Sequence, residues 1–132
     1  MPELKRVTVV NDSPEFLQLM QDLLQDASYP ATLIDGDRDN AFDLIKASQP
    51  EILIVDLRLG SDELRGLDIL KRVRDDDDLR RVPTVICTAD AWGMDRAREE
   101  VAAIENVAVL TKPFAIADLH RVLRELGAAA AE

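Results

Sequence analysis

Short apolar runs rich in β-branched residues alternate along this chain with segments whose apolar residues repeat at helical spacing. Such runs are typical of strands buried on both faces of a parallel sheet. The pattern predicts five strands, at about Leu4 to Val10, Ala31 to Ile34, Glu51 to Asp56, Val82 to Cys87 and Val107 to Thr111. Five intervening or following helices complete an α/β fold. Right-handed crossovers would place those helices on both faces of a doubly wound sheet.

Residues at the ends of the predicted helices carry the expected signals. Ser13 can cap the first helix, and Pro14 suits its first position. The second helix is expected to stop before Pro50, and Gly66 to open the third. A fourth helix is indicated by a narrow apolar stripe at Met94, Ala97, Val101 and Ile104.

The last predicted helix is expected to end at a carboxyl cap on Gly127. The chain of 132 residues fits one domain with a single core. We therefore predict a domain over residues 1–127 and a disordered tail over residues 128–132.

Net charge, the length of the apolar stretches and the cysteine content limit the classes of partner and the compartment that fit this protein. The formal net charge is −10, from 26 acidic and 16 basic residues, which opposes direct nucleic-acid binding. No apolar stretch approaches the ~20 residues of a membrane span, so no membrane partner is expected. Cys87, the single cysteine, excludes a disulfide framework and fits a reducing cytoplasm. The acidic run over residues 75–78 is interpreted as a solvated loop and not as a cation site.

Polar residues stand at the carboxyl ends of four predicted strands. Asn11 and Asp12 follow the first strand, Asp56 closes the third, and Thr88 and Lys112 follow the fourth and fifth. In an open parallel sheet, ligands bind beyond these strand ends. The pattern therefore places carboxylates, a hydroxyl and an ammonium group at the same edge of the sheet. Together they predict a site for a phosphoryl group and a metal ion.

These residues resemble a known family. The pair Asn11-Asp12, Asp56, the step Thr88-Ala89 and the motif Lys112-Pro113-Phe114 are similar to the receiver domain of two-component response regulators, including the chemotaxis regulators. The resemblance covers residues 4–126. It implies a flavodoxin-like sheet of five parallel strands in the order 2-1-3-4-5, with five helices.

The resemblance also implies roles for these side chains. Asp56 would accept a phosphoryl group from a sensor histidine kinase or a histidine phosphotransfer protein. Asp12 and Asp56 would bind Mg²⁺ with the backbone carbonyl of Arg58, while Thr88 and Lys112 would contact phosphoryl oxygens. Phosphorylation would then change a face that binds a downstream protein. Such a protein is not an enzyme acting on a separate substrate, although receivers can catalyse their own phosphorylation and dephosphorylation.

The sequence departs from the family pattern at three places. Asn11 stands where a second acid is usual, which predicts weaker Mg²⁺ binding with Asn11 reaching the metal through a bound water. Val109 stands where an aromatic residue is common, so aromatic coupling is not expected. The loop after Asp56 is about two residues longer than usual.

Other interpretations stay open. A degenerate receiver could bind partners without being phosphorylated, as Asn11 and Val109 suggest. Asp56 or Asp12 could be a turn or helix cap, and Lys112 a solvated loop residue. His120 is expected to be a solvated surface histidine. A flavin protein is disfavoured because no Ser/Thr/Gly-rich loop follows the first strand. A homodimer through the last helix is left open.

Overall fold

A computed structural model describes residues 6–36, 40–57, 65–88, 99, 101, 103–104, 106–111 and 114–131; for Thr88 and residues 127–131 it describes the backbone alone. Within these residues nine of the ten predicted elements follow one another in the predicted order: β1 (Val7–Asn11), α1 (Pro14–Asp26), β2 (Ala31–Asp35), α2 (Ala41–Ser48), β3 (Ile52–Asp56), α3 (Arg65–Asp75), β4 (Thr84–Thr88), β5 (Val107–Thr111) and α4 (Ile116–Ala131).

The strands form one parallel sheet in the order β2-β1-β3-β4-β5, which confirms the predicted order. The register sets Val10 opposite Val55 and Asp56 opposite Cys87. Because all five strands run in the same direction, their carboxyl ends lie at one edge of the sheet.

Two apolar layers cover the sheet. Helices α1 and α4 pack on one face through Met20, Leu24, Leu119 and Leu123. Helices α2 and α3 pack on the other through Ala41, Ile45, Leu67, Leu70 and Val73. Alternate residues of the central strands supply both layers, which confirms the doubly wound architecture.

Burial of the strands differs between the centre and the edges of the sheet. Every residue of β1 and β3 is buried, as expected for strands covered on both faces. In the edge strands β2 and β5 only Ile34 and Leu110 are buried. Val109 is 42% exposed. The expectation of burial on both faces is therefore wrong for β5, which lies at the edge of the sheet with a neighbouring strand on one side only.

The predicted start of α1 and the predicted end of α2 are confirmed. The backbone N–H of Phe16 donates to Ser13 Oγ at 3.3 Å, so Ser13 caps α1 and Pro14 occupies its first position. Helix α2 ends at Ser48, and Gln49 takes a left-handed conformation with φ 50° just before Pro50. These ends depend on short-range chemistry, which sequence patterns capture well.

The last helix runs past Gly127 to Ala131, so the predicted carboxyl cap at Gly127 is wrong. Glycine inside a helix costs only about 1 kcal/mol relative to alanine, and the four alanines that follow have the highest helix propensity, so the helix continues through Gly127. The division into a domain over residues 1–127 and a separate tail stays a prediction. No helix of the described part is long and apolar enough to cross a bilayer.

The predicted fourth helix falls largely outside the described residues, which contain four named helices. Met94 and Ala97 lie outside them. Val101 is helical and 5% exposed, and the N–H of Ala103 donates to the carbonyl of Glu99 at 3.2 Å, a bond of helical spacing. Val101 and Ile104 contact the same layer as α2 and α3.

The acidic run is more ordered than a solvated loop. Asp76 Oδ2 accepts from Lys46 Nζ at 2.9 Å, and Asp76 Oδ1 accepts from the N–H of Asp78 at 2.9 Å. The side chain of Asp76 is 13% exposed, whereas that of Asp77 is 97% exposed. The solvated interpretation is therefore wrong for Asp76, because its neighbour in space comes from α2, 30 residues away.

Candidate functional site

The carboxyl ends of the central strands bring the predicted site residues to one edge. Asn11 ends β1 and Asp56 ends β3, the strand hydrogen-bonded beside it. The backbone of Thr88 ends β4 opposite Thr111, the last residue of β5. The strand order therefore assembles polar residues that are up to 100 positions apart in the chain.

Asp56 and Asn11 are joined by a buried hydrogen bond. Asn11 Nδ2 donates to Asp56 Oδ2 at 3.0 Å. Asn11 is 1% exposed and Asp56 is 8% exposed. A bond to an ionised carboxylate is stronger than one between neutral groups. The carboxylate of Asp56 is thus held by a neutral amide where the family usually has an acid.

The amide of Asn11 has a second partner that fixes its direction. The backbone N–H of Ser13 donates to Asn11 Oδ1 at 2.8 Å. Since a backbone N–H can only donate, the oxygen of the amide must face Ser13 and its NH₂ group must face Asp56. The oxygen expected to reach a metal-bound water already accepts from Ser13. Asn11 as a water-mediated metal group stays a prediction.

Asp12 is exposed in the turn between β1 and α1. The side chain that caps α1 is that of Ser13, so the interpretation of Asp12 as the helix cap is not supported. No group of three or more His, Cys, Asp or Glu within the described residues could hold a metal. Mg²⁺ does not need such a group, since one or two carboxylates with carbonyl, water and phosphoryl oxygens suffice. Asp12 and Asp56, hard oxygen donors at adjacent strand ends, fit that requirement.

Gly66 supports the site, although the sequence indicated only that it opens α3. Its N–H donates to the carbonyl of Leu57 at 2.9 Å. A Cβ at position 66 would overlap the backbone carbonyl of Asp56 and lie 2.8 Å from Leu57 Cα. The residue is buried. A glycine at the start of the helix after the third strand was the one available signal, and it did not reveal this contact.

Several predicted residues lie outside what the structure describes. Arg58 and Lys112 are outside the described residues, as is the side chain of Thr88. Their roles remain those implied by the resemblance.

His120 in α4 is half-buried, and its Nε2 is shielded from solvent with no hydrogen-bond partner in the described part of the chain. The expectation of a fully solvated histidine is therefore wrong.

Comparison with known proteins identifies the family. Residues 7–124 match the response regulator receiver domain. The chain belongs to this family. The receiver is 30% identical over 112 residues to the polar-differentiation response regulator DivK of Brucella anthropi, covering 85% of this chain and 87% of that protein. The DivK protein of Brucella ovis matches to the same extent.

Solved structures share the fold of this receiver. The chemotaxis protein CheY4 of Vibrio cholerae superposes with a TM-score of 0.79 at 22% identity, over 93% of this chain and 98% of that one. The receiver domain of a sensor histidine kinase from Pseudomonas aeruginosa PAO1 has a TM-score of 0.78 at 26% identity, over 95% and 98%. That structure contains a magnesium ion coordinated in the active site cleft.

Proposed function

We propose that this receiver accepts a phosphoryl group on Asp56 in a two-component or phosphorelay system. One observation carries the proposal: Asp56 is a buried carboxylate at the carboxyl edge of the sheet, held there by the amide of Asn11. A lone turn-capping aspartate would need no such partner from another strand.

The donor is a phosphohistidine on a sensor histidine kinase or a histidine phosphotransfer protein. A carboxylate oxygen of Asp56 attacks the phosphorus, an O–P bond forms, and the N–P bond of the donor breaks. The electron pair of the broken bond returns to the imidazole nitrogen, which takes up a proton. Phosphoryl transfer depends mainly on in-line positioning and on neutralisation of charge. A fixed carboxylate supplies the positioning.

Mg²⁺ would be held by Asp12, Asp56 and the backbone carbonyl of Arg58, and would neutralise charge on the phosphoryl oxygens. The magnesium ion in the related Pseudomonas receiver supports this assignment. Thr88 would donate its hydroxyl to one phosphoryl oxygen, and Lys112 would pair with another. The backbone of Thr88 stands at the same sheet edge as Asp56, which supports the first of these roles.

The output is a change in a protein-binding face. An acyl phosphate has more charge and more acceptor oxygens than the carboxylate, so it favours a second arrangement of the residues around it. The face would be formed by the predicted fourth helix, β5 and α4, and exposed Val109 lies on it. The strongly acidic chain would bind a downstream protein in the cytoplasm and not nucleic acid.

The test is phosphorylation of the full chain by acetyl phosphate with Mg²⁺, followed by intact mass measurement. We expect one added phosphoryl group in the wild type and none in Asp56→Asn. Asp35→Asn is a matched control, because Asp35 ends the neighbouring strand β2 in register with Asn11. A mass gain that survives in Asp56→Asn, or is lost only in Asp35→Asn, would rule out the assignment.

The alternative is a receiver that binds its partners without being phosphorylated. Asn11 favours it, because one acid of the usual pair is missing. It predicts no mass gain under any condition, together with unchanged binding of the partner by Asp56→Asn. The two outcomes of the mass experiment therefore separate the candidates.

A further inference from the structure

Strand β2 forms one outer edge of the sheet. Its register with β1 is unbroken along its length, and no strand of the described residues pairs with it on the other side. Pro30 and Gly36, the residues just before and just after β2, both bond to the backbone of β1. Because successive residues of a strand alternate in direction, the backbone N–H and C=O groups of Ala31 and Leu33 point away from β1.

Two adjacent hollows follow this edge. One, of about 420 Å³, lies between the last turns of α1 and the start of β2. The other, of about 640 Å³, lies between α1 and α2 along the rest of the strand. We call them together the β2 trough, formed by residues 30–35 with Leu17, Gln21, Gln25, Leu44 and Ala47. An extended segment laid beside β2 would occupy both hollows.

The two walls of the β2 trough differ in polarity. On the α2 side it is lined by Leu44 and Ala47. On the α1 side polar groups predominate, among them the amides of Gln21 and Gln25 and the carboxylate of Asp35. The side chains of a strand alternate between its two faces. A strand added here would therefore direct one set of side chains to an apolar wall and the other set to a polar wall.

The charge around the β2 trough is almost entirely negative. Helix α1 carries three acidic residues and no basic residue, and β2 and α2 add one acidic residue each. The one basic residue of these three elements is Lys46, whose Nζ lies 2.9 Å from Asp76 Oδ2. A second copy of this chain would bring like charge to the edge, which opposes pairing. A basic segment complements it.

We propose that the outer edge of β2 binds an extended segment of a partner protein in which apolar and basic residues alternate. The segment would add a sixth strand to the sheet through hydrogen bonds to the backbone of Ala31 and Leu33. Its apolar side chains would lie on the α2 side, near Leu44, and its basic side chains on the α1 side, near Asp35. The inference goes beyond the proposed function and does not depend on the chemistry at Asp56.

The experiment measures binding of a fluorescent peptide in which valine and lysine alternate to the full chain, by anisotropy. A second peptide, with glutamate in place of lysine, keeps the alternation and reverses the charge. Leu33→Pro removes an outward N–H without removing a bond to β1, and edge strands tolerate proline. Val109→Pro is the matched control on β5, where the carbonyl of Asn106 bonds to β4 and the N–H of Val109 therefore also points outward.

We expect saturable binding of the valine–lysine peptide, and about tenfold weaker binding of the valine–glutamate peptide because like charges repel across an interface. Loss of a backbone hydrogen bond should weaken binding about tenfold in Leu33→Pro and leave it unchanged in Val109→Pro. Asp35→Asn removes one facing charge, so it should weaken binding about threefold at low salt and have no effect at high salt.

Amide hydrogen exchange of the wild type gives a readout that needs no variant and decides the matter if Leu33→Pro does not fold. The valine–lysine peptide should slow exchange of the N–H groups of Ala31 and Leu33 and leave that of Val109 unchanged. Urea unfolding shows which variants are folded under the assay conditions.

Several results would overturn the inference. They are no saturable binding of the valine–lysine peptide, equally tight binding of the two peptides, equal losses in Leu33→Pro and Val109→Pro, and unchanged exchange at Ala31 and Leu33. A wild type that sediments as a dimer and becomes a monomer in Leu33→Pro would assign the edge to a second copy, which also overturns it. None of these results bears on phosphorylation of Asp56.

Discussion

Gly66 lies directly against the backbone carbonyl of Asp56. Helix α3 begins so close to the end of β3 that a Cβ at position 66 would overlap that carbonyl oxygen and lie 2.8 Å from Leu57 Cα. The N–H of Gly66 also donates to the carbonyl of Leu57 at 2.9 Å. The first turn of α3 is thus attached to the segment that carries Asp56, and only glycine permits this distance.

Gly66→Ala should lower the free energy of unfolding by about 1–3 kcal/mol, the usual cost of forcing an extra carbon into a packed place. Backbone atoms cannot turn aside as a side chain can, so Asp56 should move and its phosphorylation should slow. Gly127→Ala is the matched control. Gly127 lies inside α4, and alanine there should raise stability by about 0.5–1 kcal/mol. Equal effects at both positions, measured by urea unfolding, would contradict the contact.

A chain of hydroxyl groups joins β1 to the end of α2. Ser48 Oγ donates to the carbonyl of Ile45 at 2.7 Å and lies 2.7 Å from Thr8 Oγ1. Because serine has one hydroxyl proton, Thr8 must be the donor between them. Thr8 is 1% exposed, so its hydroxyl depends on this partner.

Thr8→Val should cost about 1 kcal/mol of unfolding free energy, whereas Ser48→Ala should cost about 1–3 kcal/mol because it leaves a buried hydroxyl unpaired. The double variant should be more stable than the sum of the two losses predicts, by about 1 kcal/mol. Urea unfolding of all four proteins measures this coupling. Simple additivity would show that the two hydroxyls do not interact.

Ser13 makes two separable contributions. Its side chain caps α1 through the N–H of Phe16, while its backbone N–H orients Asn11. Ser13→Ala removes the first and keeps the second, so we expect a loss of about 1 kcal/mol in stability. Phosphorylation of Asp56 and its Mg²⁺ dependence should be unchanged. A changed Mg²⁺ dependence in Ser13→Ala would show that the side chain, and not the N–H, organises the site.

The pair Lys46–Asp76 should make stability depend on pH. The hydrogen bond from Lys46 lowers the pKa of Asp76 below its ordinary 3.8, with further help from the N–H of Asp78. A lowered carboxyl pKa contributes stability above pH 3.8 that is lost as pH falls through the folded value. The same bond raises the pKa of Lys46 above 10.5, so its contribution is present below pH 10.5 and is lost as pH rises beyond the raised value.

Lys46→Met should therefore be less stable than the wild type at neutral pH, with a difference that shrinks as pH falls below 3.8. The difference should also shrink in high salt, because the side chain of Lys46 is 47% exposed and salt screens the charge of an exposed group. Arg80→Gln removes the same charge from a pair 3.9 Å apart, in which Asp77 is 97% exposed. It should have no measurable effect at any pH. Chemical unfolding across the acid range tests both variants.

The sequence predicted the alternation of elements because each depends on local periodicity. The fifth strand was predicted with the bounds that the structure gives, and Ser13, Pro14 and Pro50 marked helix ends correctly. The prediction failed where propensity and packing compete. Gly127 suggested an end to the last helix, but the alanines that follow continue it. Asp76 looked solvated because its partner on α2 is remote in the chain.

The candidate site also has a part that the sequence predicted and a part that it did not. Asp56 and Asn11 could be named from the sequence, since strand ends in a parallel sheet meet at one edge. Their hydrogen bond could not be predicted, because the sequence does not show whether the side chain of Asn11 faces solvent, a metal or Asp56. The role of Gly66 was equally hidden, since a glycine at the start of a helix has many causes.

By itself the sequence determined the order of the described strands and helices, the family, and the arrival of Asn11 and Asp56 at the carboxyl edge of the sheet. Only the tertiary structure decided that the amide of Asn11 points at Asp56 and that Gly66 touches its backbone. Periodicity and caps act between residues a few positions apart, so they can be read along the chain. The direction of a hydrogen bond depends on groups brought together by folding, here across 45 residues.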